Sequence, residues 1–139
     1  MDLWGYTWEP HKITTDDGFI LTTFHLTGKV NEETEPRTES LMPVVLKHGY
    51  LCDSVTWFGN PDEYVMKPIP IRLFDDGFDI WLGNDRGTQY CQEHITMNKH
   101  EPEFWSWSWA EMGIYDDVAN VEYIKNITEK DKVSYLGVS

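Results

Sequence analysis

Two short motifs carry residue types and spacing suited to acyl transfer. Gly137-Val138-Ser139 follows the strand-like run Val133-Ser134-Tyr135-Leu136. A strand running into Gly-x-Ser is the front half of the tight strand-to-helix turn that presents a nucleophilic serine. Small residues are needed there because a larger side chain would collide with the neighbouring backbone. His48-Gly49-Tyr50-Leu51 comes directly after the apolar run Pro43-Val44-Val45-Leu46-Lys47. A turn at that place can aim a backbone N–H at the alkoxide that develops on an attacked carbonyl. Each motif alone reads better as a polar end to a strand, or as a glycine closing a strand beside a satisfied histidine. Their order, and the strand preceding each, favour acyl transfer.

Other residues could do chemistry and point elsewhere. Cys91-Gln92-Glu93-His94, with His100 nearby, offers metal-ligating side chains, but the paired short spacing typical of zinc sites is missing. The segment reads as a surface loop, and no metal or cofactor site is expected. Cys52 and Cys91 allow one disulfide, provided their loops meet. Trp105, Trp107 and Trp109 could stack on a sugar, touch a membrane, or pack the approach to a helix. Asn126-Ile127-Thr128 fits the glycosylation acceptor pattern, which matters only in a secreted protein.

The elements that must position these groups follow from the rest of the chain. Its 139 residues, 40% hydrophobic and 14% aromatic, suit a single domain spanning 1–139 with a modest core. The net charge of −13 repels phosphate backbones, so no nucleic-acid partner is expected. Met1-Asp2-Leu3-Trp4-Gly5 does not begin as a secretory signal does. Asp17-Gly18 between His11–Asp16 and Phe19–Leu26 is a hairpin signal, because the turn needs positive φ. The polar, acidic segment Gly28–Ser40 reads as a solvated loop. Pro43–Lys47 and Phe78–Leu82 read as buried parallel strands, nearly continuous in apolar residues because both faces are covered. Ile69–Asp75 reads as a short helix stopped by Gly77. Ser108 and Glu111 have the spacing of a capping box, and Val118, Val121 and Ile124 recur at helical spacing behind it. Strands alternating with helices predict an α/β fold with a largely parallel sheet.

In order and in register, the chain resembles the acid lipase family of α/β-hydrolases, which includes gastric and lysosomal acid lipases. The matching segments are Trp4-Gly5-Tyr6, Thr14–Leu21, Val44–Gly49, Asp53–Trp57, Asp76–Gly87, Glu103–Met112 with Tyr115-Asp116, and Tyr135–Ser139. The resemblance implies a partial α/β-hydrolase fold: an N-terminal β-hairpin, then parallel strands with crossover helices, ending at the nucleophile elbow. With right-handed crossovers it puts the Val44 strand between those near Phe78 and Val133. It implies that Ser139 is the nucleophile and that Tyr50 gives one oxyanion-hole N–H. The substrate would be a lipid ester, an acylglycerol or sterol ester, and the setting secreted or lysosomal. It also makes the three tryptophans structural. Val138 stands where the family usually has His, and Tyr50 where it usually has Leu. Neither change touches the chemistry, since the first residue is outside the triad and the second acts through its backbone.

In this fold the triad runs Ser, then Asp or Glu, then His, and nothing follows Ser139 in the sequence. The expectation is an N-terminal part of a lipase domain, truncated at the nucleophile and inactive alone. Its exposed edge strand near Val133 would favour self-association. The alternative is a degenerate hydrolase domain that acts without catalysis, as an inactive or binding fragment.

Overall fold

A computed structural model describes residues 3–32, 41–59 and 67–139. Strands β1 (Tyr6–Thr14) and β2 (Phe19–Lys29) form an antiparallel hairpin. It closes through Gly18, at φ +95°, where an L side chain is strained. The hairpin is longer than the sequence pattern suggests. Gly28 and Lys29, expected in a loop, pair with Thr7 and Tyr6; the remainder of that expected loop, 33–40, lies outside the described residues. A register shift between Thr7 and Trp8 lets the ladder continue past a glycine that weakens strand preference.

Strand β3 (Pro43–Lys47) is buried at every position. Helix α1 (Ile69–Asp75) turns its Ile71 and Phe74 into the core. It stops at Gly77, which adopts φ +94°. Strand β4 (Asp79–Gly83) then pairs parallel with β3, Val45 opposite Trp81. A two-residue strand, β5 (Glu93–His94), adds to the hairpin end of β2. The last strand, β6 (Ser134–Gly137), pairs parallel with β3, Leu46 opposite Leu136. The strand order is β1-β2-β4-β3-β6, so the Val44 strand lies between the other two as expected.

The long helical region before β6 begins at the expected capping box. The Ser108 N–H donates to Glu111 at 2.7 Å, and Ser108 Oγ accepts from the Ala110 N–H at 3.2 Å. Helix α2 (Trp109–Glu111) passes through a wide π-helical stretch, Met112–Asp117, into α3 (Val118–Thr128). Such a stretch inserts a wider turn into a helix and recurs at functional sites. Within this region Asp116, Asn120 and Ile124 are buried. Val118 is 53% exposed, so the buried stripe is rotated from the aliphatic pattern of the sequence. The reason is polar: Asn120 hydrogen-bonds Thr23 and donates to the Asp116 carbonyl at 2.9 Å. The core divides between the β1/β2/β4/β3 face under α1 and a second cluster around Phe19, Leu21, Cys91 and Phe104. Among the described residues no helix is long and apolar enough to cross a membrane.

Candidate active site

Parallel strands present their C-terminal ends to one side, where open α/β sheets bind ligands. Lys47, the last residue of β3, is buried and ion-pairs with Asp85 beyond β4 and with Asp117 of the π-helical stretch. Burial works against its charge, but the two carboxylates outweigh it and hold its pKa above the ordinary lysine value. Next along the chain, His48 has both ring nitrogens committed. Nδ1 donates to the Gly49 carbonyl at 2.9 Å and Nε2 accepts from the Asp85 N–H at 3.2 Å. That makes it a positioning group with no lone pair free for proton abstraction.

Gly49 carries the decisive geometry. A Cβ there would lie 2.9 Å from the Val138 carbonyl oxygen, closer than real side chains approach, and 3.2 Å from Ser139 Cβ, a tight contact. The His-Gly turn and the Gly-Val-Ser end, 90 residues apart in sequence, are thus packed backbone against backbone. The Val138 N–H also donates to the Lys47 carbonyl at 3.3 Å. Ser139 itself adopts φ +59°, outside the range most side chains prefer. Following Gly49, the chain makes a turn in which the Cys52 N–H donates to the Gly49 carbonyl at 3.0 Å, with Leu51 at φ +64°. Tyr50 and Leu51 are consequently exposed, Leu51 by 86%. A cleft of about 190 Å³ lies here, lined by His48, Tyr50, Asp85, Gly87, Trp107 and Met112 among others. A wider cleft of about 930 Å³ lies between β1 and α3, away from both motifs.

The floor of the smaller cleft is an ionic cluster that sequence reasoning missed. Arg86, 1% exposed, donates from NH1 and NH2 to Asp17 at 2.7 and 2.8 Å. It also donates from Nε and NH2 to Asp116 at 2.9 and 2.8 Å. Its guanidinium lies 4.1 Å over the Phe19 ring. Burial alone would raise the Asp17 carboxyl, but its bonds from Arg86 and Thr15 hold it below the usual value. Burial pushes Asp116 upward, against the donors from Arg86. One guanidinium therefore ties the hairpin turn, the β4 exit and the π-helical stretch together. The signal for this cluster lies in Gly83-Asn84-Asp85-Arg86-Gly87, which the sequence shows as part of the matching segment Asp76–Gly87 and not as an ionic centre.

The remaining expected candidates have structural placements. Cys91 is buried, and its thiol pKa is pushed up to about 11, chiefly by burial. Cys52 is exposed, and both cysteines are free, so the possible bridge between them is not formed. His94 uses Nε2 on the Asp17 carbonyl and Nδ1 on the Thr96 and Met97 N–H groups, so no lone pair remains for a metal beside Cys91. Trp107 packs over Gly87, whose Cβ would fall 2.6 Å from the indole. Trp105 and Trp107 donate their indole N–H to the Lys99 and Phe104 carbonyls at 2.7 Å each. Trp109 is 73% exposed.

The mixed sheet with its helices matches solved α/β-hydrolases. A Pyrococcus furiosus esterase superposes with a TM-score of 0.61 at 15% identity, over 95% of this chain and 42% of that one. The fold is that of an α/β-hydrolase. The family profile described as a partial alpha/beta-hydrolase lipase region matches residues 1–61. Over 99% of its length the chain is 36% identical to a triacylglycerol lipase of Arabidopsis thaliana, covering 32% of that protein. It is 37% identical to a putative lysosomal acid lipase/cholesteryl ester hydrolase of Crotalus adamanteus and 35% identical to the gastric triacylglycerol lipase of Bos taurus. It covers 97% and 98% of itself in those matches, and 32% and 33% of the two relatives. Over nearly its whole length the chain is similar to acid lipases of the α/β-hydrolase class, and it spans about a third of the length of the curated relatives it matches.

Proposed function

We propose that the protein carrying this chain hydrolyses lipid esters, acylglycerols or sterol esters, with Ser139 as nucleophile and the Tyr50 N–H as one oxyanion donor. The observation that carries this reading is the contact of Gly49 with Val138 and Ser139 at the ends of parallel β3 and β6, in a chain whose relatives are lipases. Ser139 Oγ would attack the ester carbonyl carbon and pass its proton to a general base. The carbonyl electrons collapse onto oxygen, held by backbone N–H groups, and expulsion of the alcohol leaves an acyl-serine for water to cleave. Among the described residues, His48 and His94 have both ring nitrogens engaged, His100 lies on an exposed loop, and His11 and His25 lie on β1 and β2, across the sheet from β6. The proposal therefore places the base and its acidic partner in sequence following Ser139, in a longer protein whose N-terminal domain part is 1–139. A secreted or lysosomal setting accords with the gastric and lysosomal relatives.

The test has two arms. The 139-residue chain is expected to show no esterase turnover above background, since serine without its base is a weak nucleophile. A longer protein containing this segment is expected to hydrolyse triacylglycerol and to lose at least 10³-fold in kcat on Ser139→Ala. Turnover by the short chain that disappears on Ser139→Ala would show that the base lies within these residues. An active long protein indifferent to Ser139→Ala would remove Ser139 from the chemistry.

A further inference from the structure

At the other edge of the sheet from β6, β1 and β2 bring a second set of chemically capable side chains together. Glu9 and His11 are two apart on β1 and so share a face, and Glu9 is register-paired with His25 on β2. His25 is in turn paired with Trp81 on β4 and stacks on its indole at 3.9 Å, the rings 6° from parallel. One oxygen of Glu9 and one ring nitrogen from each histidine lie within 4.8 Å of one another. They border a cleft of about 530 Å³, also lined by Thr27, Asp79 and Trp81.

We propose that Glu9, His11 and His25 bind a divalent transition metal of the zinc type. Each histidine already holds one ring nitrogen on a fixed partner. His11 Nδ1 is 2.9 Å from the Tyr123 hydroxyl, and His25 Nε2 is 2.6 Å from Asp79 Oδ1. Asp79 is itself fixed by the Trp81 indole N–H at 2.8 Å. Anchoring one ring nitrogen on a hydroxyl or carboxylate while the other faces the ion is how metal-ligating histidines are held. The second nitrogen of His11, Nε2, is buried with no hydrogen-bond partner among the described residues, an uncommon state for a polar atom. It lies 3.7 Å from Glu9 Oε2. Two ligand atoms held at ~2.1 Å in tetrahedral geometry sit roughly 3.4 Å apart. The separation here is 3.7 Å between His11 and Glu9 and at most 4.8 Å across the three groups, so the set closes on an ion by side-chain adjustment of the exposed Glu9 and the histidine rings. Imidazole with carboxylate suits zinc, copper or nickel rather than calcium or magnesium. Three protein ligands leave a coordination position open to the cleft.

The test is calorimetric titration of the full chain carrying Cys52→Ser, which removes the exposed thiol, with zinc chloride. Saturable 1:1 binding is expected, weakened at least tenfold by Glu9→Gln and likewise by His11→Gln, with His100→Gln unchanged. Glu9 is exposed, so its substitution leaves packing intact even where a histidine variant does not fold. Absence of a saturable 1:1 heat in the folded chain, or less than tenfold weakening in Glu9→Gln, would overturn the site.

Discussion

The two sides of the candidate active site are held by different physics. On one side, Arg86 and Lys47 are buried among four carboxylates, Asp17, Asp116, Asp85 and Asp117, drawn from the hairpin turn, the β4 exit and the π-helical stretch. On the other, β6 is exposed at all four positions and is hydrogen-bonded, among the described residues, only to β3. Its one described side-chain tie to the ionic side is the Tyr135 hydroxyl, 3.1 Å from Asp117. The His48–Tyr50 turn thus sits on a rigid, over-determined floor, while the strand that delivers Ser139 depends on one ladder. Positioning of the oxyanion donor and presentation of the nucleophile are energetically separable.

The harshest way to break this contrast is Arg86→Met. It leaves the Asp116 carboxylate, 0% exposed at the side chain, without its counter-ion. Removing one partner of a buried pair costs about 3–5 kcal/mol, a large part of a typical domain's stability. Urea unfolding is expected to show a transition shifted by that amount or lost. A change below about 1 kcal/mol would mean that the cluster is not what fixes the floor.

Next comes Asp17→Asn, which spares Asp116 and is expected to cost about 1–3 kcal/mol, the scale of a hydrogen bond to a charged group. It also has a pH signature. Asp17 and Asp75 are both held below their ordinary values, Asp75 by Lys67 and Tyr6 against the opposing effect of burial. Each therefore adds stability that is complete above about pH 4 and lost as pH falls through its lowered pKa. Asp116, raised by burial, has the opposite sign and loses stability as pH rises through its raised value. Asp17→Asn should accordingly flatten the acid limb of the stability–pH curve, measured by thermal unfolding between pH 2 and 6. An unchanged acid limb would assign that sensitivity elsewhere.

On the β6 side the effects are smaller. Leu136, 41% exposed, should cost about 1 kcal/mol on truncation to alanine, and a loss as large as that of Arg86→Met would erase the contrast. Last is association of the chain through β6, a proposal that follows from its exposed edge. Tyr135 and Val138 are each 45% exposed, and an unpaired edge is a template for another strand. The −13 charge opposes this but is screened over ~8 Å at physiological salt. Sedimentation of the 139-residue chain should show mass rising with salt. A salt-independent monomer would show that the edge is closed.

What the sequence made legible follows the same division. Backbone-driven features were plain: Asp17-Gly18 demanded a hairpin, Pro43–Lys47 a covered strand, Ser108 and Glu111 a helix start. Both acyl-transfer motifs were visible because glycine at a strand end is a local requirement. The ionic cluster was not visible, since Asp17 reads as a turn residue and Asp116 as one more acid in an acidic chain. Only the tertiary fold brings them to Arg86, 69 and 30 residues away in sequence. Glu9, His11 and His25 were hidden likewise, because their proximity depends on hairpin register. Gly28-Lys29 was misread because propensity is local, whereas the ladder with Tyr6 and Thr7 is not.

The π-helical stretch Met112–Asp117 sets a rotational phase. Consecutive residues of a regular helix point about 100° apart, yet neighbours Asp116 and Asp117 serve Arg86 and Lys47, at the exits of adjacent strands. Lengthening or shortening this segment by one residue with no compensating change in its winding would turn the Ser108–Glu111 cap by about 100° relative to α3. The cap and the tryptophan wall before it would then face away from Gly87. The length of this turn, counted in single residues, therefore clocks one wall of the cleft against the other, and the segment should tolerate substitution far better than insertion or deletion.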